Sequence, residues 1–445
     1  MSTPEVLDKQ KSVRKVATAS LIGTAVEWYD LFVFATASAI VFNVLFFPTF
    51  DELVGTLLAF GTFASAYVAR MIGAAIFGHF GDRLGRKSML LISLIMMGVA
   101  TFAIGLLPTY ASLGVWAPIL LLTLRVVQGL ALGGEWGGAV LMTVEHAAKD
   151  KRGFFGSWVQ TGVPIGTLLA NLVFLVVALL PNDDLLSWGW RVPFLASSLL
   201  VLVGLFIRLR IMETPAFEAV KQTKSQVRLP LAEVFKKYWR QVVLGGVATM
   251  STGVAFNILV AFGLTYGTST LGLGRSTMLT VVLVSCAAGI ALIPAFGALS
   301  DRLGRKPVII GGIVAEAVFA FPMFWLMDTK VVGLVLLGYL LLMTAFAANY
   351  GPIATFLAEL FGTRVRYSGL SVSYMLSGVL GSAATPAVTT ALLNATGHGS
   401  SVAWFMIGAA AISLICLMLL AETFRGEIQE GAPEQSKVAG ATPAI

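Results

Sequence analysis

The chain has 445 residues, of which 57% are hydrophobic and only 12% charged, and its mean hydropathy is +0.87. Soluble domains carry about a quarter charged residues, so this composition excludes a water-soluble enzyme and requires much of the surface to face lipid. The net charge of +7 does not mark a nucleic-acid binder, because the basic residues sit in short linkers between apolar runs and not on one folded face.

Twelve apolar runs long enough to cross a bilayer follow one another along the chain. They are predicted as helices at 16–47, 53–79, 88–107, 116–143, 154–180, 191–210, 241–268, 276–299, 307–327, 331–357, 368–393 and 402–420. The runs are apolar on nearly every face and show no ten-residue alternation, which excludes a membrane β-barrel. The expected fold is an all-α polytopic membrane protein. Of the 30 Lys and Arg, 25 fall on the side of the chain termini, whereas the opposite linkers hold Arg191, Arg275 and Lys330. The positive-inside rule then places both termini in the cytoplasm. The basic start resembles a signal peptide, but the following run is too long and contains Glu27 and Asp30, so it is read as a retained first helix. Cys286 and Cys416 lie far apart in apolar runs and suggest neither a disulfide nor a metal site.

The chain repeats itself. GHFGDRLGRK at 78–87 returns as GALSDRLGRK at 297–306. A second pair aligns Trp136-Gly137, Glu145 and Arg152 with Tyr350-Gly351, Glu359 and Arg366, and a third aligns Glu213-Thr214 with Glu422-Thr423. A unit of this length is too long for a solenoid, and six spans per unit keep the two copies in the same orientation. The expected organisation is a cytoplasmic arm 1–15, an N-terminal half 16–210, a cytoplasmic linker 211–240, a C-terminal half 241–420 and a cytoplasmic tail 421–445, with a cavity between the halves.

Charges inside the spans cost at least about 2.5–3.5 kcal/mol each and call for a partner, water or a task. Asp30 falls near the middle of span 1 and Arg125 about nine residues into span 4, so the two are expected to form a couple near the midplane. An aspartate that loses such a cation in a dry site takes a proton, which links proton binding to closure. Glu27, nearly one turn before Asp30, is a second proton site or a partner for Arg70. Arg70 lies within snorkelling reach of the interface and is also a candidate for binding a solute carboxylate, with Arg125 the better anion anchor because its guanidinium keeps its charge. Gln128, Gln160, Asn257, Asn349, Tyr350 and Tyr374 place amides and hydroxyls on cavity helices, and Trp28, Tyr29 and Trp136 offer rings for stacking. Glu135, embedded in GGEWGG, reads as a gate or helix-contact residue, while Glu316 in span 9 receives no role. Asp82, Arg83, Arg86, Glu145, Arg152 and Glu213, with Asp301, Arg302, Arg305, Glu359, Arg366 and Glu422 in the second half, form an expected cytoplasmic clasp of opposite charges.

The strings GHFGDRLGRK, EWYD (27–30), LRVVQGLALGGEWGGA (124–139) and ELFGTRVRYSG (359–369) resemble the major facilitator superfamily, and within it the metabolite:proton symporters that include shikimate, α-ketoglutarate and proline/betaine carriers. The resemblance covers about 13–425. It implies alternating access, a central site lined by spans 1, 4, 7 and 10, and salt bridges in the clasp that break when the cytoplasmic side opens. Sugar porters are similar in pairing a span-1 aspartate with a span-4 arginine. Span 5 reads TGVPIGTLLAN and lacks the glycine pair of the antiporter element, which leans towards symport. The expected partners are a small organic acid or, alternatively, a zwitterion such as proline or betaine, together with protons and the bilayer, with the chain working as a monomer. No cofactor, metal or catalytic group is expected. His79, His146 and His398 are too far apart for an enzyme centre, and GDRLGRKS (81–88) fails the phosphate-loop spacing.

Overall fold

The computed structural model describes residues 4–48, 52–177, 179–209 and 230–424. Most of the linker 211–240, including Glu213, and the tail beyond 424 lie outside the described residues. Among the described residues twelve long helices carry the fold: α1 Pro4–Ala37, α2 Glu52–Leu84, α3 Arg86–Leu106, α4 Trp116–His146, α5 Arg152–Val177 and α6 Arg191–Leu209 in the first half. The second half holds α7 Trp239–Thr270, α8 Arg275–Leu303, α9 Arg305–Asp328, α10 Val332–Glu359, α11 Arg366–Thr396 and α12 Ser400–Met418. Ten helices or helical runs are long and apolar enough to span a bilayer. The other two, α1 and α2, have 34 and 33 residues and carry Glu27, Asp30 and Arg70. Two expected boundaries change. Helix α1 begins at Pro4, so most of the expected arm 1–15 is helical, and the described end of the linker folds as a short helix, Pro230–Lys237.

The two halves pack by the same plan. In the first, α1 lies on α5, α2 on α4, and α3 on α4 and α6; in the second, α7 lies on α11, α8 on α10, and α9 on α10 and α12. Between halves, α5 meets α8 and α2 meets α11. The outer helices turn Val99, Leu199, Trp325, Trp404 and Ile415 outwards, as lipid-facing surface requires.

The repeated loops adopt one conformation. Gly85 has φ 111° and ψ 147°, and its repeat partner Gly304 has φ 104° and ψ 162°, a region open almost only to glycine. Each glycine turns the chain sharply from one spanning helix into the next. Where α2 crosses α4, a Cβ at Gly133 would collide with the carbonyl oxygen of Arg70, so this glycine sets how near Arg70 comes to the centre.

Gly85→Ala and Gly304→Ala are each expected to cost about 1–3 kcal/mol, read as a lower unfolding midpoint of the purified protein. Unchanged midpoints would show that the loops relax without the glycine.

Candidate functional site: a central cavity and its charge pairs

A small cavity lies between the halves. Its first-half wall carries Trp28 from α1, Tyr67 and Arg70 from α2, and Val163 from α5. The second-half wall is aromatic and hydroxylic, with Phe256, Phe346, Tyr350 and Tyr374 beside Thr252, Ser377 and Ser382. Gly378 and Ser382 belong to a π-helical stretch of α11, Gly378–Ala383, a widened turn of a kind frequent at functional sites.

Arg70 is the cation of this cavity. Its guanidinium pairs with Glu27 of α1 and lies 5.7 Å from the centre of the Tyr67 ring. Arg70 Nε and Glu27 Oε2 are buried without hydrogen-bond partners, so each ion keeps bonding capacity that the pair does not use.

Asp30 and Arg125 do not touch. Thr101 Oγ1 donates to Asp30 at 2.8 Å, Gln128 Nε2 donates to Thr101 at 2.6 Å, and Arg125 donates to Gln128 Oε1 at 3.1 Å. The expected couple is thus a relay through two neutral side chains. Arg125 is fully buried with its guanidinium 4.1 Å from the centre of the Phe34 ring, outside the cavity lining. Of the two arginines, Arg70 lines the cavity, because α2 turns it to the centre while helix α4 turns Arg125 into its own half.

A third pair was not legible as such. Arg208 of α6 bonds Glu135 at 2.5 Å and the carbonyl of Leu90 at 3.0 Å. Its position next to a basic linker disguises it as a topology charge, yet it is buried. The signal was available in Glu135 itself, since a buried carboxylate needs a cation.

The other expected contacts divide. Tyr350 and Tyr374 line the cavity with their hydroxyls 2.9 Å apart. Trp136 stacks on Tyr374 with ring centres 3.5 Å apart and donates to Gln160 at 2.7 Å, while Gln160 donates to the Tyr350 carbonyl at 3.3 Å. These two therefore brace the halves against each other behind the lining. Tyr29, Asn257 and Asn349 lie outside the lining: the Tyr29 hydroxyl donates to the Pro193 carbonyl at 2.9 Å, Asn257 donates to the Gly253 carbonyl at 2.9 Å, and Asn349 bonds Ser251 and Glu316.

The clasp closes the loop end with matching parts. Asp82 of α2 accepts from the backbone N–H groups of Tyr367 at 3.2 Å and Ser368 at 3.0 Å, in the first turn of α11. Asp301 of α8 accepts from Gly153 and Phe154, both at 2.8 Å, in the first turn of α5. Each half thereby caps a helix of the other, where the unsatisfied donors and the helix dipole favour a carboxylate. Glu145 takes Arg366 at 3.0 Å and Arg86 at 3.5 Å. Its repeat partner Glu359 takes Arg305 at 3.3 Å and stands near Arg152, whose carbonyl accepts from Thr355 at 2.9 Å. Glu422 accepts from the backbone of Arg305 and Lys306 at 3.3 and 2.9 Å. Arg83 and Arg302 sit exposed at helix ends, and among the described residues Arg302 makes no ion pair.

The family model of the Major Facilitator Superfamily matches residues 30–385 and again 292–443. The chain is 41% identical to the inner membrane metabolite transport protein YhjE of Escherichia coli (strain K12), over 93% of this chain and 95% of that one. This chain belongs to the Major Facilitator Superfamily. It is 38% identical to the shikimate transporter of Escherichia coli (strain K12), again over 93% of this chain and 95% of the other. The fold superposes on the proton:xylose symporter XylE bound to 6-bromo-6-deoxy-D-glucose with a TM-score of 0.78 at 18% identity, covering 93% of this chain and 97% of that one. The protein is a multi-pass membrane transporter of metabolites and not an enzyme.

Glu135→Gln leaves Arg208 buried without its counter-charge and is expected to cost about 3–5 kcal/mol, whereas the apolar pair Glu135→Leu with Arg208→Met recovers most of that loss. Thermal unfolding of single and double variants checks this; strictly additive losses would show that the two charges are not coupled.

Proposed function

We propose that the protein is a proton-coupled symporter that takes up a small organic acid anion, shikimate or a related hydroxylated or short carboxylate, by alternating access. It works as a monomer in the inner membrane with both termini cytoplasmic. The observation that carries this reading is the cation in the cavity, Arg70, whose counter-ion is a buried carboxylate, Glu27.

Charge balance supplies the coupling. A guanidinium binds a carboxylate through two parallel N–H donors and keeps its charge throughout. A solute carboxylate that takes Arg70 displaces Glu27, and Glu27 without its cation in a dry wall gains a proton. The cavity then holds Arg70 and the solute anion, with Glu27 neutral, so its total charge is the same as before binding. One proton accompanies each carboxylate, and neither crosses alone without leaving an unpaired buried charge. Asp30, joined to Arg125 through Thr101 and Gln128, forms a second proton site behind this pair. The Tyr350 and Tyr374 hydroxyls with Ser377 and Ser382 suit the hydroxyls of the solute, and Trp28 and Phe256 suit its carbon skeleton. The similarity to a shikimate transporter supports the same solute class.

The clasp of Asp82, Arg86, Glu145, Asp301, Arg305, Glu359 and Arg366 is the cytoplasmic gate, held closed here. Its contacts between halves, Asp82 on the α11 backbone, Asp301 on the α5 backbone and Glu145 on Arg366, are the ones that part when the gate opens.

The test is uptake of labelled shikimate into proteoliposomes with an inward proton gradient. Gradient-driven accumulation is expected, with Glu27→Gln losing accumulation while keeping solute exchange. Arg70→Lys is expected to weaken apparent affinity roughly 10–100-fold, in line with about 1.5–3 kcal/mol for a charge-assisted bond. Accumulation without a gradient, preference for proline or betaine over organic acids, or full accumulation by Glu27→Gln would each overturn the reading.

A further inference from the structure

Glu316 is the unassigned charge of the second half. It lies at the centre of α9, roughly 16–18 Å from either end of that helix, and is 2% exposed. Both carboxyl oxygens lie 3.1 Å from Asn349 Nδ2, and the same amide nitrogen is 2.9 Å from Ser251 Oγ. Among the described residues no ion pair reaches Glu316, in contrast to Glu27 with Arg70 and Glu135 with Arg208. The groups that face it are Asn349 from α10 and Ser251 from α7. The charged residues of α8, Arg275, Asp301 and Arg302, lie at that helix's ends, and the titratable side chain of α12 is Cys416.

The repeat explains why the cation is missing. Asn349 stands where the first half has Glu135, and at the offset of the Glu213 and Glu422 pair, Leu417 stands where the first half has Arg208. The second half has thus exchanged an ion pair for a single acid gripped by neutral groups. An ionised carboxylate so placed carries a penalty of several kcal/mol. The protonated acid needs an acceptor for its O–H, and Asn349 Oδ1 is buried without a hydrogen-bond partner. A half-turn of that amide exchanges its nitrogen and oxygen and presents the oxygen to the carboxyl group.

We infer that Glu316 holds a proton in this state and is a proton-binding site of the second half, distinct from the pairs of the first. The inference rests on the symport reading for its role in transport. Ser251 directly precedes Thr252, and Asn349 directly precedes Tyr350, and both of those line the cavity. Helix α7 is broken at Thr249, and the Ser251 N–H freed there is taken by Ser413 Oγ of α12 at 3.1 Å. Movement of the lining on solute binding therefore moves both groups that grip the acid. The only bond made or broken is the carboxyl O–H, and the proton passes to or from cavity water.

Infrared spectroscopy of the full-length protein in lipid nanodiscs at neutral pH reads this directly, without uptake. A carboxylic-acid C=O band is expected in the native protein, with loss of that component in Glu316→Gln. Adding shikimate is expected to shift the band. Should Glu316→Gln not purify, Glu316→Asp is expected to keep a band at altered frequency. A spectrum identical in native protein and either variant overturns the inference. Failure of proton-driven uptake by the native protein would overturn the symport reading alone and leave the band in place. In proteoliposomes Glu316→Gln is expected to flatten the pH dependence of uptake, and an unchanged pH profile would remove Glu316 from coupling.

Discussion

Two carboxylates hold the closed end of this carrier together by binding the backbone of the opposite half. Asp82 and Asp301 each accept two N–H groups at the start of a spanning helix. The first-turn N–H groups of such a helix have no partner inside the helix, and with this end closed the opposite half supplies one. Each half thus depends on the other for groups it cannot satisfy alone. The sharp loops at Gly85 and Gly304 follow Asp82 and Asp301, and the Glu145 and Glu359 bridges stand beside them. Under the proposed alternating access, a contact of this kind is strong when made and divides into two matching parts when broken.

Behind the gate the halves have diverged in charge. The first half concentrates its ions as Glu27 with Arg70, Glu135 with Arg208, and Asp30 linked to Arg125 through two neutral groups. The second half contributes aromatic rings and hydroxyls to the cavity and holds Glu316 at the centre of α9, which among the described residues makes no ion pair. Charged pairs and aromatic, hydroxylic groups thus fall largely on opposite walls of the cavity. The strut from Trp136 through Gln160 to the Tyr350 backbone, together with the Trp136 and Tyr374 stack, ties the walls mechanically at the same level.

Much of this architecture was legible because it rests on hydropathy and on repeated strings. Apolar runs define the helices, and the DRLGRK copies with the matched Glu145 and Glu359 define the halves. The charged residues at the loop end were singled out for the same reason, although the strings could not say that the aspartates bind backbone across the interface. Side-chain direction was not legible. Arg70 and Arg125 both lie in spans with partner carboxylates nearby, and only helix rotation decides that Arg70 enters the cavity while Arg125 turns to Phe34. Arg208 was hidden by its basic neighbours. Tyr29 and Asn349 show the same limit, since a polar group on a cavity helix is as readily spent on Pro193 or on Glu316 as on a solute.

The reciprocal caps are tested most directly by the distance between the halves at the loop end. Spin labels at Leu84→Cys and Arg364→Cys, both exposed positions, read that distance by double electron–electron resonance in nanodiscs. A short, narrow distribution is predicted with Asp82 intact, and a second, longer population when Asp82→Asn is added. Identical distributions with and without the aspartate would contradict the account.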